Sequence, residues 1–81
     1  MKIFVTGGCG FIGSNFILKC LKSGKNTIIN LDKLTYAGNL ENVQTIESLQ
    51  NYHFIHGDIN NIKAVNNVFD DYKPDVLNEV E

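Results

Sequence analysis

The 81-residue sequence lacks the features that usually identify membrane, secreted and nucleic-acid-binding proteins. No apolar stretch approaches the ~20 residues of a membrane-spanning helix. Only three apolar residues separate Lys2 from Thr6, which is too few for a secretory signal. Basic runs are absent and the net charge is −2, so nothing indicates nucleic acid or a membrane surface as a partner. Cys9 and Cys20 have no metal-like spacing, and we expect two reduced thiols in a cytoplasmic protein.

Repeats and linkers are also absent, and the hydrophobic pattern divides the chain into alternating strands and helices. Strand character occurs at residues 2–6, 26–32 and 52–56, and a fourth strand opens at Pro74-Asp75. Helical periodicity occurs at roughly 11–23, 39–50 and 61–72. This alternation predicts an α/β fold in which a parallel sheet of about four strands, in the order 3-2-1-4, carries about three helices.

Each predicted helix has an apolar face. On the first helix we expect burial of Ile12, Phe16, Ile17, Cys20 and Leu21, with Ser23-Gly24 as the stop signal. The second carries Leu40, Val43, Ile46 and Leu49 after a possible N-cap at Asn39. The third carries Ile62, Val65, Phe69 and Tyr72 on one face.

The first strand runs directly into glycines at positions 7, 10 and 13, and a helix follows. Gly7 would allow a sharp turn, Gly10 a close approach to a pyrophosphate, and Gly13 tight packing of the helix on the strand. The helix N-terminus would offer N–H groups and partial positive charge to the phosphates. A glycine-rich turn without a ligand is the alternative, which the flanking strand and helix disfavour. No Gly-Lys-Ser/Thr occurs, which excludes a P-loop.

Two acids stand at predicted strand ends. Asp32 follows Gly13 by 19 residues, where a Rossmann fold has the acid that binds the adenosine ribose. A carboxylate there repels a 2′-phosphate and favours NAD over NADP, although Lys33 weakens that preference; the alternative is a solvated loop acid. Asp58 could accept a hydrogen bond from adenine while Ile59 packs on the ring, or it could cap the third helix.

Thr6-Gly-Gly-Cys-Gly-Phe-Ile-Gly13 resembles the opening motif of the extended short-chain dehydrogenase/reductase family, with Cys9 where that family usually has alanine. The run Leu31-Asp-Lys-Leu-Thr-Tyr-Ala-Gly-Asn39 is similar to the nucleotide-sugar 4,6-dehydratases within that family. The resemblance covers residues 1 to about 76. It implies an NAD site lined by Phe11, Ile12, Asp32, Lys33, Leu34, Thr35, Asp58 and Ile59, with Gly38 near the adenosine half.

The resemblance further implies an NAD-dependent lyase that oxidises a nucleotide sugar at C4, eliminates water across C5 and C6, and reduces C6. The Tyr-x-x-x-Lys pair and the eliminating acids of that family have no counterpart here, so we predict no catalytic residue and no metal ligand. His53 and His56 are expected to be structural or solvated. We therefore expect residues 1–81 to be the N-terminal part of an NAD-binding domain, ended early, without a substrate domain and inactive alone.

Two alternatives stay open. The chain could be part of another NAD-dependent nucleotide-sugar epimerase or decarboxylase, against which the loop from Lys33 to Asn39 argues. It could also be a non-enzymatic module that binds a nucleotide or pairs with another chain through an open sheet edge. The expected partners are NAD, a nucleotide sugar only in a full-length relative, and further copies of this chain.

Overall fold

The computed structural model describes residues 1–9, 11–33, 46 and 49–79, which form one parallel sheet and two helices. In chain order the elements are β1 (Lys2–Thr6), α1 (Phe11–Lys22), β2 (Thr27–Asp32), β3 (Tyr52–His56), α2 (Ile62–Tyr72) and β4 (Val76–Glu79). The strands are all parallel and follow the order β3-β2-β1-β4. The predicted sheet and its order are therefore confirmed. The helix predicted at 39–50 lies mostly outside the described residues, but residues 49 and 50 are not helical.

The two faces of the sheet carry separate hydrophobic cores, because successive side chains of a strand point to opposite sides. Ile3 and Val5 of β1 belong to one core, together with Ile17 of α1. Phe4 belongs to the other, together with Val68 of α2. The central strands are thus buried from both sides, which explains why β1 and β2 read as nearly continuous apolar runs.

Helix α1 buries the predicted face except at its first turn. Ile17 and Leu21 are buried, and Phe16 and Cys20 pack partly against the same core. Ile12, in contrast, is 67% exposed, so the prediction that it is buried was wrong. The next residue, Gly13, faces the loop that follows β1, and consecutive helical residues are rotated by about 100° about the axis, so Ile12 points to solvent.

Helix α2 contacts the sheet through a face centred on Val68, which is its buried residue. Val65 and Tyr72 pack partly against the same core, as predicted. Ile62 is 72% exposed and Phe69 is 41% exposed, although the Phe69 ring meets Phe4 edge-on at 5.5 Å between centroids. Of the predicted face, Val65, Tyr72 and part of Phe69 therefore lie on the sheet side of the helix, whereas Ile62 in the first turn is at the surface.

Strand β4 is held to β1 at its start by a reciprocal pair of hydrogen bonds. The backbone N–H of Lys2 donates to Oδ2 of Asp75 and that of Asp75 donates to the carbonyl of Lys2, both at 2.8 Å. All four side chains of β4 are exposed. Within the described part of the chain no strand pairs with the far side of β4. This edge therefore carries apolar side chains, those of Val76 and Leu77, at the protein surface.

Candidate functional site

A cleft of about 750 Å³ lies across the carboxyl ends of all four strands. Each strand contributes its last residue or the residues that follow it; the lining consists of Thr6, Gly7, Leu31, Asp32, Lys33, Gly57, Asp58, Ile59, Asn60 and Glu79. The chain moves outward from β1 to β2 and β3, then returns to β4 on the other side of β1. Ligands of open parallel sheets bind beyond the carboxyl ends at such a reversal of strand order. The cleft therefore lies where this fold is expected to bind a ligand.

The structure brings together five of the predicted site residues, since the cleft is lined by Gly7, Asp32, Lys33, Asp58 and Ile59. Two others are described but are not part of its lining, namely Ile12 and Gly13. The remaining five predictions concern Gly10, the Phe11 side chain, Leu34, Thr35 and Gly38, which lie outside the described residues.

The glycine-rich turn after β1 requires glycine at two of the predicted positions. Gly7 has a φ of 73°, in the left-handed region that a side chain would strain. A Cβ on Gly13 would lie 2.4 Å from the carbonyl oxygen of Gly7 and 2.8 Å from Cα of Gly8. The sharp turn at Gly7 is as predicted. Gly13 allows a close approach as expected, but the approach is to the loop rather than to the strand before it.

Backbone N–H groups of three successive loop residues are bound by strand β2. The N–H group of Gly7 donates a hydrogen bond to the Leu31 carbonyl at 3.0 Å. That of Gly8 donates to Asn30 Oδ1 at 3.0 Å, and that of Cys9 donates to Asp32 Oδ2 at 2.8 Å. The first half of the loop is therefore anchored to the end of β2 by one carbonyl and two side chains.

Asn30 was missed by the sequence reasoning, although it is completely buried at the centre of this arrangement. Its Nδ2 donates to Oη of Tyr52 at 3.0 Å and to Sγ of Cys9 at 3.5 Å. Asn30 and Asp32 are two residues apart, so both point to the same face of β2. A polar residue interrupting a buried strand two positions before the acid was the signal that could have identified it.

The environment of Asp32 makes the neighbouring thiol unreactive. Asp32 is only 2% exposed, and Cys9 beside it is fully buried. Burial, and then the negative charge of Asp32, raise the pKa of the Cys9 thiol to about 11. Because the thiolate is the nucleophilic form, Cys9 is not a nucleophile at neutral pH. Both Cys9 and Cys20 are thiols rather than a disulfide, as predicted.

On the β3 side of the cleft, Asp58 is held by a turn and an ion pair. Its Oδ1 accepts from the backbone N–H of Asn60 at 2.9 Å, and its Oδ2 lies 3.4 Å from Nζ of Lys33. The Asn60 hydrogen bond, then Lys33, hold the pKa of Asp58 below its usual range. Both partners are more than a third exposed, so the ion pair contributes little to stability. The cap of α2 is Asn61, whose Oδ1 accepts from Ala64 N at 3.3 Å, so the alternative that Asp58 caps this helix is wrong.

The two histidines of β3 do not line the cleft. Nε2 of His56 lies 3.1 Å from the Lys33 carbonyl, and the His53 ring lies 5.2 Å from that of Tyr72, which agrees with a structural role. Within the described ranges, no cluster of three His, Cys, Asp or Glu residues could hold a metal ion. Neither of the two helices in the described residues is long and apolar enough to cross a membrane.

The parallel sheet with its reversal beside β1, the glycine-rich turn and the strand-end acids together define an α/β domain of the Rossmann type. Comparison with family profiles narrows this class. The profile described as GDP-mannose 4,6 dehydratase matches residues 4–78, and the chain belongs to this family.

Individual relatives agree with this assignment. The chain is 44% identical to dTDP-glucose 4,6-dehydratase of Salmonella typhimurium over 77 residues, which are 95% of this chain and 21% of that enzyme. The crystal structure of dTDP-glucose 4,6-dehydratase from Bacillus anthracis, in complex with NAD, matches all of this chain and 26% of its own, with a TM-score of 0.96 and 44% identity. UDP-glucuronic acid 4-epimerase from Bacillus cereus, also solved with NAD, matches 99% of this chain and 26% of its own, with a TM-score of 0.83 and 30% identity. The chain therefore spans about a quarter or less of these relatives.

Proposed function

We propose that residues 1–81 are the N-terminal, adenosine-facing part of an NAD-binding domain, and that the parent activity is that of a dTDP-glucose 4,6-dehydratase. The observation that carries this proposal is the convergence of the glycine turn, Asp32 and Asp58 on one cleft at the switch point. The Bacillus anthracis structure with NAD supports it, because the whole chain matches that structure. No described residue is assigned a catalytic role, so the chain alone is proposed to bind NAD without turning over a nucleotide sugar.

The residues of the cleft fit the two ends of the adenosine part of NAD. Asp32 would accept hydrogen bonds from the ribose hydroxyls, and Asp58 would accept one from the adenine amino group. Ile59, which is 39% exposed, would pack on the adenine ring. Gly10, Phe11, Ile12, Leu34, Thr35 and Gly38 belong to the same proposed site.

The phosphates of NAD would lie against the glycine turn. A side chain at Gly7 would be strained, and a Cβ at Gly13 would collide with the loop, so the turn is as compact as a phosphate cradle requires. The following helix α1 begins at Phe11 and would direct its positive end towards the phosphates. When bound, NAD supplies hydride-transfer chemistry to the parent enzyme.

The charges around the cleft favour NAD over NADP. The carboxylate of Asp32 would repel a 2′-phosphate placed on the ribose that it binds. Lys33 is the cation nearest to it in sequence, but its ammonium group pairs with Asp58 at 3.4 Å. Its positive charge is therefore partly offset, and we expect it to weaken the preference for NAD only slightly.

Two features favour a dehydratase over an epimerase as the parent enzyme. The dehydratase structure matches this chain with a TM-score of 0.96, whereas the epimerase matches with 0.83. The sequence identity of this chain is 44% to the dehydratase and 30% to the epimerase. A nucleotide sugar is proposed as a ligand of the longer protein only.

We also propose a cytoplasmic location. Cys9 and Cys20 are free thiols, which fits the reducing conditions of the cytoplasm.

Calorimetric titration of the chain with NAD and with NADP tests the cofactor proposal. We expect NAD to bind more tightly than NADP. Asp32→Asn should reduce the difference in affinity between NAD and NADP, because it removes the charge that repels the 2′-phosphate. It keeps an oxygen that can accept from the Cys9 N–H group. Asp70→Asn is the matched control, since Asp70 is an exposed acid of α2 outside the cleft, and it should change neither affinity. Tighter binding of NADP, or no binding of either nucleotide, would contradict the proposal.

A further inference from the structure

We propose that Asn30 is a positioning residue for the nucleotide loop, and that its carboxamide couples the loop to strand β3. The inference rests on the proposed function, because it concerns the same NAD site. It assigns a role to a side chain that does not line the cleft and would not touch the cofactor.

The first step of the argument concerns the cost of burying an amide. Asn30 is 0% exposed, and an unpaired amide transferred from water to such a site is destabilising. Here the amide is paired on both sides: Oδ1 accepts from Gly8 N, and Nδ2 donates to Oη of Tyr52, each at 3.0 Å. A leucine at this position would fill similar space in a core of mostly apolar residues. The arrangement therefore does more than fill the core, because it specifies the position of one backbone N–H group.

The second step concerns the close fit at Gly8. A Cβ on Gly8 would lie 2.4 Å from Asn30 Oδ1 and 2.4 Å from Cδ1 of Ile17. On the side where a Cβ would point, the backbone of Gly8 therefore packs directly against both the Asn30 carboxamide and the Ile17 side chain of α1. The proposed function assigns the phosphates to the loop beyond Gly8, so the position of Gly8 relative to β2 would determine where that part of the loop begins.

The third step concerns the connection to β3. Tyr52 is the first residue of β3 and is 4% exposed, and its hydroxyl group meets Asn30 beneath the loop. Asp58, which the proposed function assigns to adenine, follows the other end of the same strand. The two ends of the proposed adenosine site are thereby held to a common rigid element, as precise ligand placement requires.

The test compares Asn30→Leu with Ile17→Val in NAD titrations of the full chain. Asn30→Leu removes the acceptor of Gly8 N and keeps the branched skeleton of four side-chain heavy atoms, while Ile17→Val loosens packing against the same glycine and leaves the hydrogen bonds intact. We expect Asn30→Leu to weaken NAD binding roughly tenfold, as for a lost buried hydrogen bond, and Ile17→Val to change it by less than about threefold. Equal losses in the two variants at matched thermal stability would mean a merely structural role and would overturn the inference.

Amide hydrogen exchange at Gly8 provides a second readout, which needs no cofactor. We expect the Gly8 N–H group of the wild-type chain to be protected, and Asn30→Leu to remove that protection while the amides of α1 stay protected. Exchange of Gly8 at the rate of an exposed amide in the wild type would overturn the inference, even if Asn30→Leu fails to fold. If Gly8 is protected but NAD does not bind, the proposed function fails while the anchoring role of Asn30 stands.

Discussion

At the scale of single residues, strand β2 contributes more to the site than its acid alone. Asn30 and Asp32 each bind a backbone N–H group of the glycine-rich loop, and the Leu31 carbonyl binds a third. Asp32 consequently has two tasks under the proposed function: it anchors the loop at Cys9 and binds the ribose. A substitution at Asp32 therefore has to be chosen so that the two tasks can be separated.

Asp32→Ala should weaken NAD binding by about 1–3 kcal/mol, because charge-assisted hydrogen bonds to the ribose are lost. The loss should exceed that of Asp32→Asn, which keeps an acceptor for the Cys9 N–H group now bound at 2.8 Å. Calorimetric titration of both variants measures the difference. An unchanged affinity of Asp32→Ala for NAD would show that Asp32 does not bind the cofactor.

The Cys9 thiol should make the folded state sensitive to alkaline pH. Its pKa is raised from 9.0 to about 11 by burial and by Asp32, so the unfolded chain loses this proton at lower pH than the folded chain. The contribution to stability is fully present below pH 9 and is lost as the pH rises from 9 towards 11. Urea unfolding across this range should therefore show a steeper decline for the wild type than for Cys9→Ala. Parallel pH profiles for the two proteins would contradict the raised pKa.

At the scale of secondary structure elements, local signals determine where the helices begin and end. Helix α1 ends where Ser23-Gly24 was predicted to stop it, and Gly24 N bonds to the Leu21 carbonyl at 3.0 Å. Helix α2 begins after Asn61, whose side chain accepts from Ala64 N. Such caps depend on residues within one turn and are therefore readable from sequence.

Asn61→Ala should lower the free energy of unfolding by about 0.5–2 kcal/mol, because it leaves a helix N–H group without its capping partner. Asn66→Ala is the matched control, since Asn66 is an exposed residue inside α2. The control should be neutral or slightly stabilising, as alanine is the better helix former. Chemical denaturation of both variants measures these effects, and equal changes would show that Asn61 is not the functional cap.

At the scale of the whole molecule, the sheet is unevenly covered. The strands β1 and β2 are buried between the two helices, whereas all of β4 is exposed and carries Val76 and Leu77 at the surface. Ile62 and Phe69 of α2 also expose apolar side chains. An unpaired strand edge with apolar side chains is a template for association with another chain.

The 81-residue chain should therefore form a dimer or larger species in solution. Size-exclusion chromatography with light scattering should give a mass above 9.1 kDa that falls on dilution. Leu77→Lys should shift the equilibrium towards the monomer, since charged residues protect sheet edges. Lys73→Ala, a change at an exposed residue before β4, is the control and should leave the mass unchanged. A monomer at all concentrations that melts cooperatively would contradict this prediction.

The sequence by itself determined the order of the strands and the positions of several site residues at the ends of those strands. Period-two and helical patterns, together with the glycines at 7 and 13 and the acids at 32 and 58, are local features, and the sheet order then follows from the rules of parallel connections. Strands β1 and β3 were predicted with the bounds that the structure has. Five of the predicted site residues meet in one cleft for the same reason: each ends a strand or lies within three residues after one.

Only the tertiary structure decided how those elements meet in detail. Asn30 reads as a polar interruption of a strand until the loop after β1 folds over it and supplies the N–H group of Gly8. Ile12 and Ile62 fit an apolar periodicity, yet both are exposed, because the tertiary arrangement decides which side chains of a helix reach the core. The raised pKa of Cys9 likewise comes from burial beside an acid 23 positions away in the sequence. These properties depend on contacts between distant segments, which no local pattern encodes.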